Sequence, residues 1–111
     1  MLEKDIVAAI MRYLKTVPNT FCFKEHGGIY GTAGIPDVIV CFKGRFVAFE
    51  VKTPSGKLTK LQEITIQKIK AAKGEAYKVT SVEDVKSILD SLEVKPYDDS
   101  LDIFRQTNGC D

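Results

Sequence analysis

The sequence predicts an α/β fold, a mixed central β-sheet flanked by helices, and three observations predict it. Helical and strand periodicities alternate along the chain in the order αβββαβα. The two central strand runs, "DVIVCF" and "RFVAFEVK", are β-branched and aromatic, with apolar residues expected on both faces. The amphipathic segments around them are long enough to cover such a sheet, so the layers are helix and sheet rather than a bundle or a barrel.

Each element follows from its own residues. Ile6, Ile10, Tyr13, Leu14 and Val17 recur at helical spacing and Pro18 closes the pattern, which predicts a first helix over residues 2–16. "TFCFKE" alternates Phe21 and Phe23 with Cys22 and Lys24, the pattern of a partly buried strand. The glycine-rich "HGGIYGTAGIP" then breaks the chain before Asp37. Lys43 and Gly44 are the right length and composition for a tight turn joining the two central strands. Thr59 and Gln62 form a capping box ahead of a helical stripe of Leu61, Ile64, Thr65, Ile69 and Ala72 that ends by Gly74. "AYKVT" reads as a fourth strand, and Ser81 with Asp84 repeats the capping pattern before "VEDVKSILDSL", a third helix. From about residue 93 the periodicity weakens, and Leu101, Ile103 and Phe104 are either packed on the body or offered to a partner.

The chain of 111 residues is sized for one domain, residues 1–111, with a core over about 2–92 and a tail over 93–111. At 44% hydrophobic and 28% charged residues, the composition excludes a disordered or membrane-embedded chain. The opening "MLEKDIVAAIMRYLK" is charged and amphipathic without the apolar block of a signal peptide, which leads us to expect a cytoplasmic protein. Three cysteines make an odd count, so Cys22 and Cys41 are expected as small, reduced core residues rather than disulfide partners. A lone His26 without a Cys-x-x-Cys pair lacks the ligands of a structural zinc site and a positioned acid partner.

Net charge is only +1, but its distribution is uneven. Lys57, Lys60, Lys68, Lys70 and Lys73 crowd one stretch, either as a solvated helix face or as a phosphate-binding one, while acids collect in "YDDSLD". More telling are Asp37, Glu50 and Lys52. With Lys43 and Gly44 as the turn, Phe42 pairs with Arg45, and counting back sets Asp37 opposite Glu50. Lys52, two residues on, shares the face of Glu50. Opposed carboxylates repel, and either Lys52 neutralises one of them in a structural ion-pair cluster, or a hard divalent cation is held between them. A cation held there, beside an ammonium, suits phosphodiester hydrolysis.

These residues resemble a known family. Pro36 and Asp37 followed by Glu50, Val51 and Lys52 are similar to the PD-(D/E)xK signature of metal-dependent nucleases, and the αβββαβ order resembles that superfamily's restriction-endonuclease-like core, here with a C-terminal helix. Within it, "GIPDVIV" and "FEVKTPSGKLTKLQ" are most similar to the free-standing virus-type replication and repair nuclease (VRR-NUC) domain, through Gly34, Pro36, Asp37, Glu50, Lys52 and Gln62, over residues 2–80. The resemblance implies a magnesium-dependent DNA endonuclease, with manganese able to substitute. Asp37, Glu50 and the Val51 carbonyl would hold the ion, with Lys52 acting on the attacking water and the phosphate.

The resemblance also implies a substrate of four-way or otherwise branched DNA, as for Holliday-junction-resolving enzymes of repair or phage replication, cut by a homodimer. The apolar tail residues Leu101, Ile103 and Phe104, with Tyr97, are the candidate dimer patch. Glu3 is either a further metal or water ligand or an exposed first-turn acid favouring the helix dipole. Gln62 is a site residue, a capping partner of Thr59, or both. Lys24, Thr32, Lys57 and Lys60 are candidate DNA contacts, and Tyr30 a candidate base-stacking residue. The alternative is a non-catalytic nucleic-acid-binding module that keeps the nuclease fold.

Overall fold

A computed structural model of the chain describes residues 1–25 and 34–94. The element order is α1 (Glu3–Leu14), β1 (Thr20–Lys24), β2 (Val38–Phe42), β3 (Arg45–Val51), α2 (Lys60–Ala71), β4 (Glu75–Val79) and α3 (Val82–Val94). The strands form one sheet in the order β1-β2-β3-β4, antiparallel except for the parallel β3/β4 pair. A parallel pair needs a crossover, and α2 supplies it. The predicted mixed sheet between helices is therefore what the chain forms.

The β2/β3 register follows from the turn. Lys43 and Gly44 both take positive φ, 50° and 85°, which matches a two-residue hairpin turn to the twist of its strands. Phe42 then pairs with Arg45 and Val38 with Phe49. One step further along this register, Asp37 stands opposite Glu50.

The two faces of the sheet are packed differently. On one, Val38, Val40, Phe42, Val47, Phe49, Val51 and Val79 meet Ile6, Val7, Ile10 and Leu14 of α1 and Val85, Leu89 and Leu92 of α3. This is the main core, and each fully buried apolar side chain in it contributes about 1.5–3 kcal/mol. On the other face Ala48 and Ala76 are so small that α2 lies close over β3 and β4, pressing in Ile66 with Ile69 beside it.

Several expectations are corrected on that second face. The helical stripe assigned to α2 omitted Ile66, its one fully buried residue among those described, whereas Leu61 and Ile64 are exposed. The central strands are not covered on both faces throughout. Phe46 is 47% exposed, and Cys41, expected as a core residue, lies on the surface. The cause is the same in each case: one short helix over two alanines reaches Ile39 of β2 but leaves β1, Cys41 and the hairpin end uncovered. In β1, Cys22 packs toward the main core while Phe21 and Phe23 face outward.

The caps are close to those expected. The Gln62 N–H donates to Thr59 Oγ1 (3.1 Å) and the Thr59 N–H to Gln62 Oε1 (2.9 Å). At α3, the Asp84 N–H donates to Ser81 Oγ, but the returning bond comes from the Thr80 N–H to Asp84 Oδ2, one residue earlier than a capping box requires.

Candidate active site

Asp37 sits where β2 begins, just after the buried Pro36. Its carbonyl accepts from the Glu25 N–H (2.8 Å), and its Oδ2 accepts from the Val51 N–H (2.8 Å) across the hairpin. The backbone of Asp37 is thus held from the β1 side and its carboxylate from β3. Gly34, three residues before it, has φ +83° and so little room that an added Cβ would lie 2.8 Å from Leu61 Cγ and 2.9 Å from Thr65 Oγ1. A glycine is needed there on both counts. Its consequence is functional, because the first turns of α2 dock directly on the segment that carries Asp37.

Glu50 is the buried member. Only 3% of it is exposed, and its Oε1 has no hydrogen-bond partner among the described residues. Burial raises its carboxyl from 4.5 to about 8, helped by the hydrogen bond and negative charge of Asp37. Lys52 acts in the opposite direction, and Glu3 adds a smaller push upward. The two acids and the lysine therefore meet as the register required. The main-chain amide of Lys52 donates to the Val79 carbonyl (2.9 Å), extending the β3/β4 ladder by one residue. The tight turn after it, closed by the Gly56 N–H to the Thr53 carbonyl, leaves an added Cβ on Gly56 just 3.3 Å from Lys52 Cβ. That turn confines the base of the lysine side chain.

The remaining candidates divide. Gln62 is in the first turn of α2, next to the Leu61 that touches Gly34, with its side-chain oxygen used in the cap and its NH2 group left to donate. Val51 presents its amide to Asp37, and its side chain is buried on the opposite face. Glu3 is exposed in the first turn of α1, close enough for its charge to act on Glu50. Lys57 and Lys60 are exposed at the entry to α2. Lys24 pairs with Val38, so it points to the face of α1 and α3, away from the carboxylates. Thr32, Tyr30 and His26 lie outside the described residues.

One neighbour was missed by sequence reasoning. Lys78 of β4 pairs with Glu50, and in a parallel pair the two side chains share a face, so an exposed second ammonium flanks the acids. Nothing local in "AYKVT" signals this, because it depends on the register between strands separated by a whole helix.

Among the described residues no group of three or more His, Cys, Asp and Glu side chains could hold a metal ion. A cation between Asp37 and Glu50 would thus complete its shell with backbone or water oxygens, the habit of magnesium. The unpartnered Glu50 oxygen fits such a ligand: it is a hard donor already stripped of water.

No family profile matches the sequence, and no curated protein is similar to it. Solved structures are similar. One described as a VRR_NUC domain protein superposes with a TM-score of 0.70 at 16% identity, over 88% of this chain and 93% of that one. Another, described as a VRR_NUC domain, gives 0.66 at 18% identity, over 79% of this chain and 94% of that one. The chain has the VRR_NUC fold. The likeness covers 79–88% of this chain, and Asp37, Glu50 and Lys52 lie at one end of the β2/β3 hairpin of that fold.

Proposed function

We propose that this protein is a divalent-cation-dependent DNA endonuclease that hydrolyses phosphodiester bonds in branched or four-way DNA. The observation that carries the reading is Glu50: a carboxyl buried to 3% exposure, one oxygen without a partner among the described residues, raised by burial and by the Asp37 carboxyl beside it, with the Lys52 ammonium acting in the opposite direction. A structural ion pair would be expected to satisfy that oxygen, since leaving a buried polar atom unpaired costs about 1–3 kcal/mol. Asp37, Glu50 and the Val51 carbonyl are the residues that would hold magnesium or manganese, which when bound supplies Lewis acidity and lowers the pKa of water.

The chain's own groups perform the rest. Val51 N–H fixes Asp37 Oδ2, so the carboxylate is oriented before any ligand arrives. Lys52 neutralises charge developing on the phosphate and orients the attacking water from the face it shares with Glu50. Lys78, Lys57 and Lys60 neutralise flanking phosphates, and the Gln62 amide with the α2 N-terminus offers neutral donors. One domain offers a single such site, so paired cuts in a symmetric junction call for two chains related by a two-fold axis.

The test is incubation of linear duplex, plasmid and four-way junction DNA with protein and magnesium, against the same mixtures with EDTA. Cleavage only with the cation, and faster on the junction, is the expected result. Magnesium-independent binding without any cleavage would favour a non-catalytic nucleic-acid-binding module.

A further inference from the structure

The uncovered end of the sheet has a shape and a charge that the site does not use. A groove of about 440 Å³ lies between Phe46 at the start of β3 and the last turns of α2, floored by Phe46, Ile69 and Ala72 and rimmed by Lys68 and Lys73. The register extends its apolar floor sideways, since Phe46 pairs with Cys41 and Cys41 with Phe21, all exposed. A continuous apolar surface of this kind on a small domain marks a docking site.

The same end of the molecule is where the chain leaves its last helix. Val94 is 82% exposed, and the preceding Glu93 is ion-paired with Lys43, in the turn from which β3 runs to Phe46. Beyond it, outside the described residues, come seventeen residues, "KPYDDSLDIFRQTNGCD", which hold the expected dimer patch of Tyr97, Leu101, Ile103 and Phe104 with Asp98, Asp99 and Asp102 interleaved. Apolar residues and acids are thus paired in sequence as apolar floor and lysine rim are paired in space. α3 packs on the face of the sheet opposite the groove, so the chain has to round the hairpin end; the seven residues from Val94 to Leu101 span up to about 25 Å, against roughly 10 Å of strand from Lys43 to Phe46 plus about 10 Å to pass from one face to the other.

We propose that residues 97–104 of this chain dock in the groove of the same chain. Leu101, Ile103 and Phe104 cover Phe46 and Cys41, and Asp98, Asp99 and Asp102 face Lys68 and Lys73. A tethered segment acts at an effective concentration in the millimolar range, which favours the chain's own tail over that of a second copy at micromolar protein. The tail residues expected from the sequence to join two subunits are then occupied within one, and the homodimer of the proposed nuclease uses another surface. This docking does not rest on the nuclease reading.

Cys41 reports it. In the full chain, alkylation of Cys41 by iodoacetamide, followed peptide by peptide, is expected to be at least about tenfold slower than in the variant L101D/I103D/F104D, the protection given by about 1.4 kcal/mol of docking. The variant K68E/K73E should label as fast as the triple variant, and adding D98K/D99K/D102K to it should restore protection. Equal Cys41 rates in the full chain and both variants would overturn the proposal. So would protection that vanishes on dilution from about 100 to about 1 μM, which would assign the groove to a second copy.

Discussion

Asp37 and Lys52 occupy neighbouring positions with different work, and substitution separates them. Asp37→Asn removes a charged oxygen donor from the proposed cation site, so calorimetry with manganese should show metal affinity reduced at least about tenfold, together with loss of cleavage. Lys52→Ala removes an ammonium and leaves both carboxylates, so cleavage should fall by about a hundredfold or more while metal binding stays within a few-fold. Loss of metal in Lys52→Ala would contradict this division. Glu50 gives a pH signature in the cation-free protein. Its carboxyl is raised to about 8 in the fold from 4.5, so between those values the native state holds more protons than the unfolded chain, and stability falls as pH rises. That contribution is complete below about 4.5 and lost above about 8. In EDTA, Glu50→Gln should therefore flatten the decline and be the more stable protein at pH 8, by on the order of a few kcal/mol, with the gap closing near pH 5. Denaturant midpoints measured across that range would show it, and parallel curves for the two proteins would sink the assignment.

At the scale of elements, the site depends on how α2 is seated. Its N-terminus rests on Gly34 and its middle on Ala48 and Ala76, so the helix is located by residues that lack bulk. Gly34→Ala should cost about 2 kcal/mol, part from forcing a side chain into positive φ and part from the 2.8 Å clash with Leu61. Adding Leu61→Ala should recover only the Leu61 share of the steric part, since Thr65 Oγ1 still lies 2.9 Å from the added Cβ. Urea unfolding of the two variants checks this, and complete recovery would mean that the backbone conformation carries no strain. The hairpin is the other positioning element, because its two positive-φ residues set the register that brings Asp37 opposite Glu50.

For the whole molecule, basic groups converge on the carboxylate side: Lys52 and Lys78 beside Glu50, Lys57 and Lys60 at the entry to α2. Net charge is nearly zero, so the proposed DNA affinity has to come from this local concentration. Binding in calcium, which fills a carboxylate site while activating water poorly, should weaken as salt increases. Lys78→Ala should reduce the slope of log affinity against log salt by about one phosphate contact, roughly 0.9. An unchanged slope would remove Lys78 from the interface. Light scattering of the calcium complex with a four-way junction should show two protein chains per junction, and one chain would refute the two-fold assembly.

The sequence by itself determined the elements, the turn and which charged residues stand together. Lys43 and Gly44 dictated a two-residue hairpin, the side-chain period of two did the rest, and Asp37, Glu50 and Lys52 were placed together by counting alone. Main-core positions such as Ile10, Val40 and Phe49 were legible for the same reason, because local periodicity encodes which face of an element is apolar. What only the tertiary structure decided is whatever depends on two elements distant in sequence. The exposure of Phe46 and Cys41, the burial of Ile66 in place of Leu61 and Ile64, and the pairing of Lys78 with Glu50 all follow from where α2 sits over the sheet and how β4 registers with β3. A helix with apolar residues around more than one face does not announce which of them will be covered. The partner surface chooses, and here two alanines on neighbouring strands made that choice.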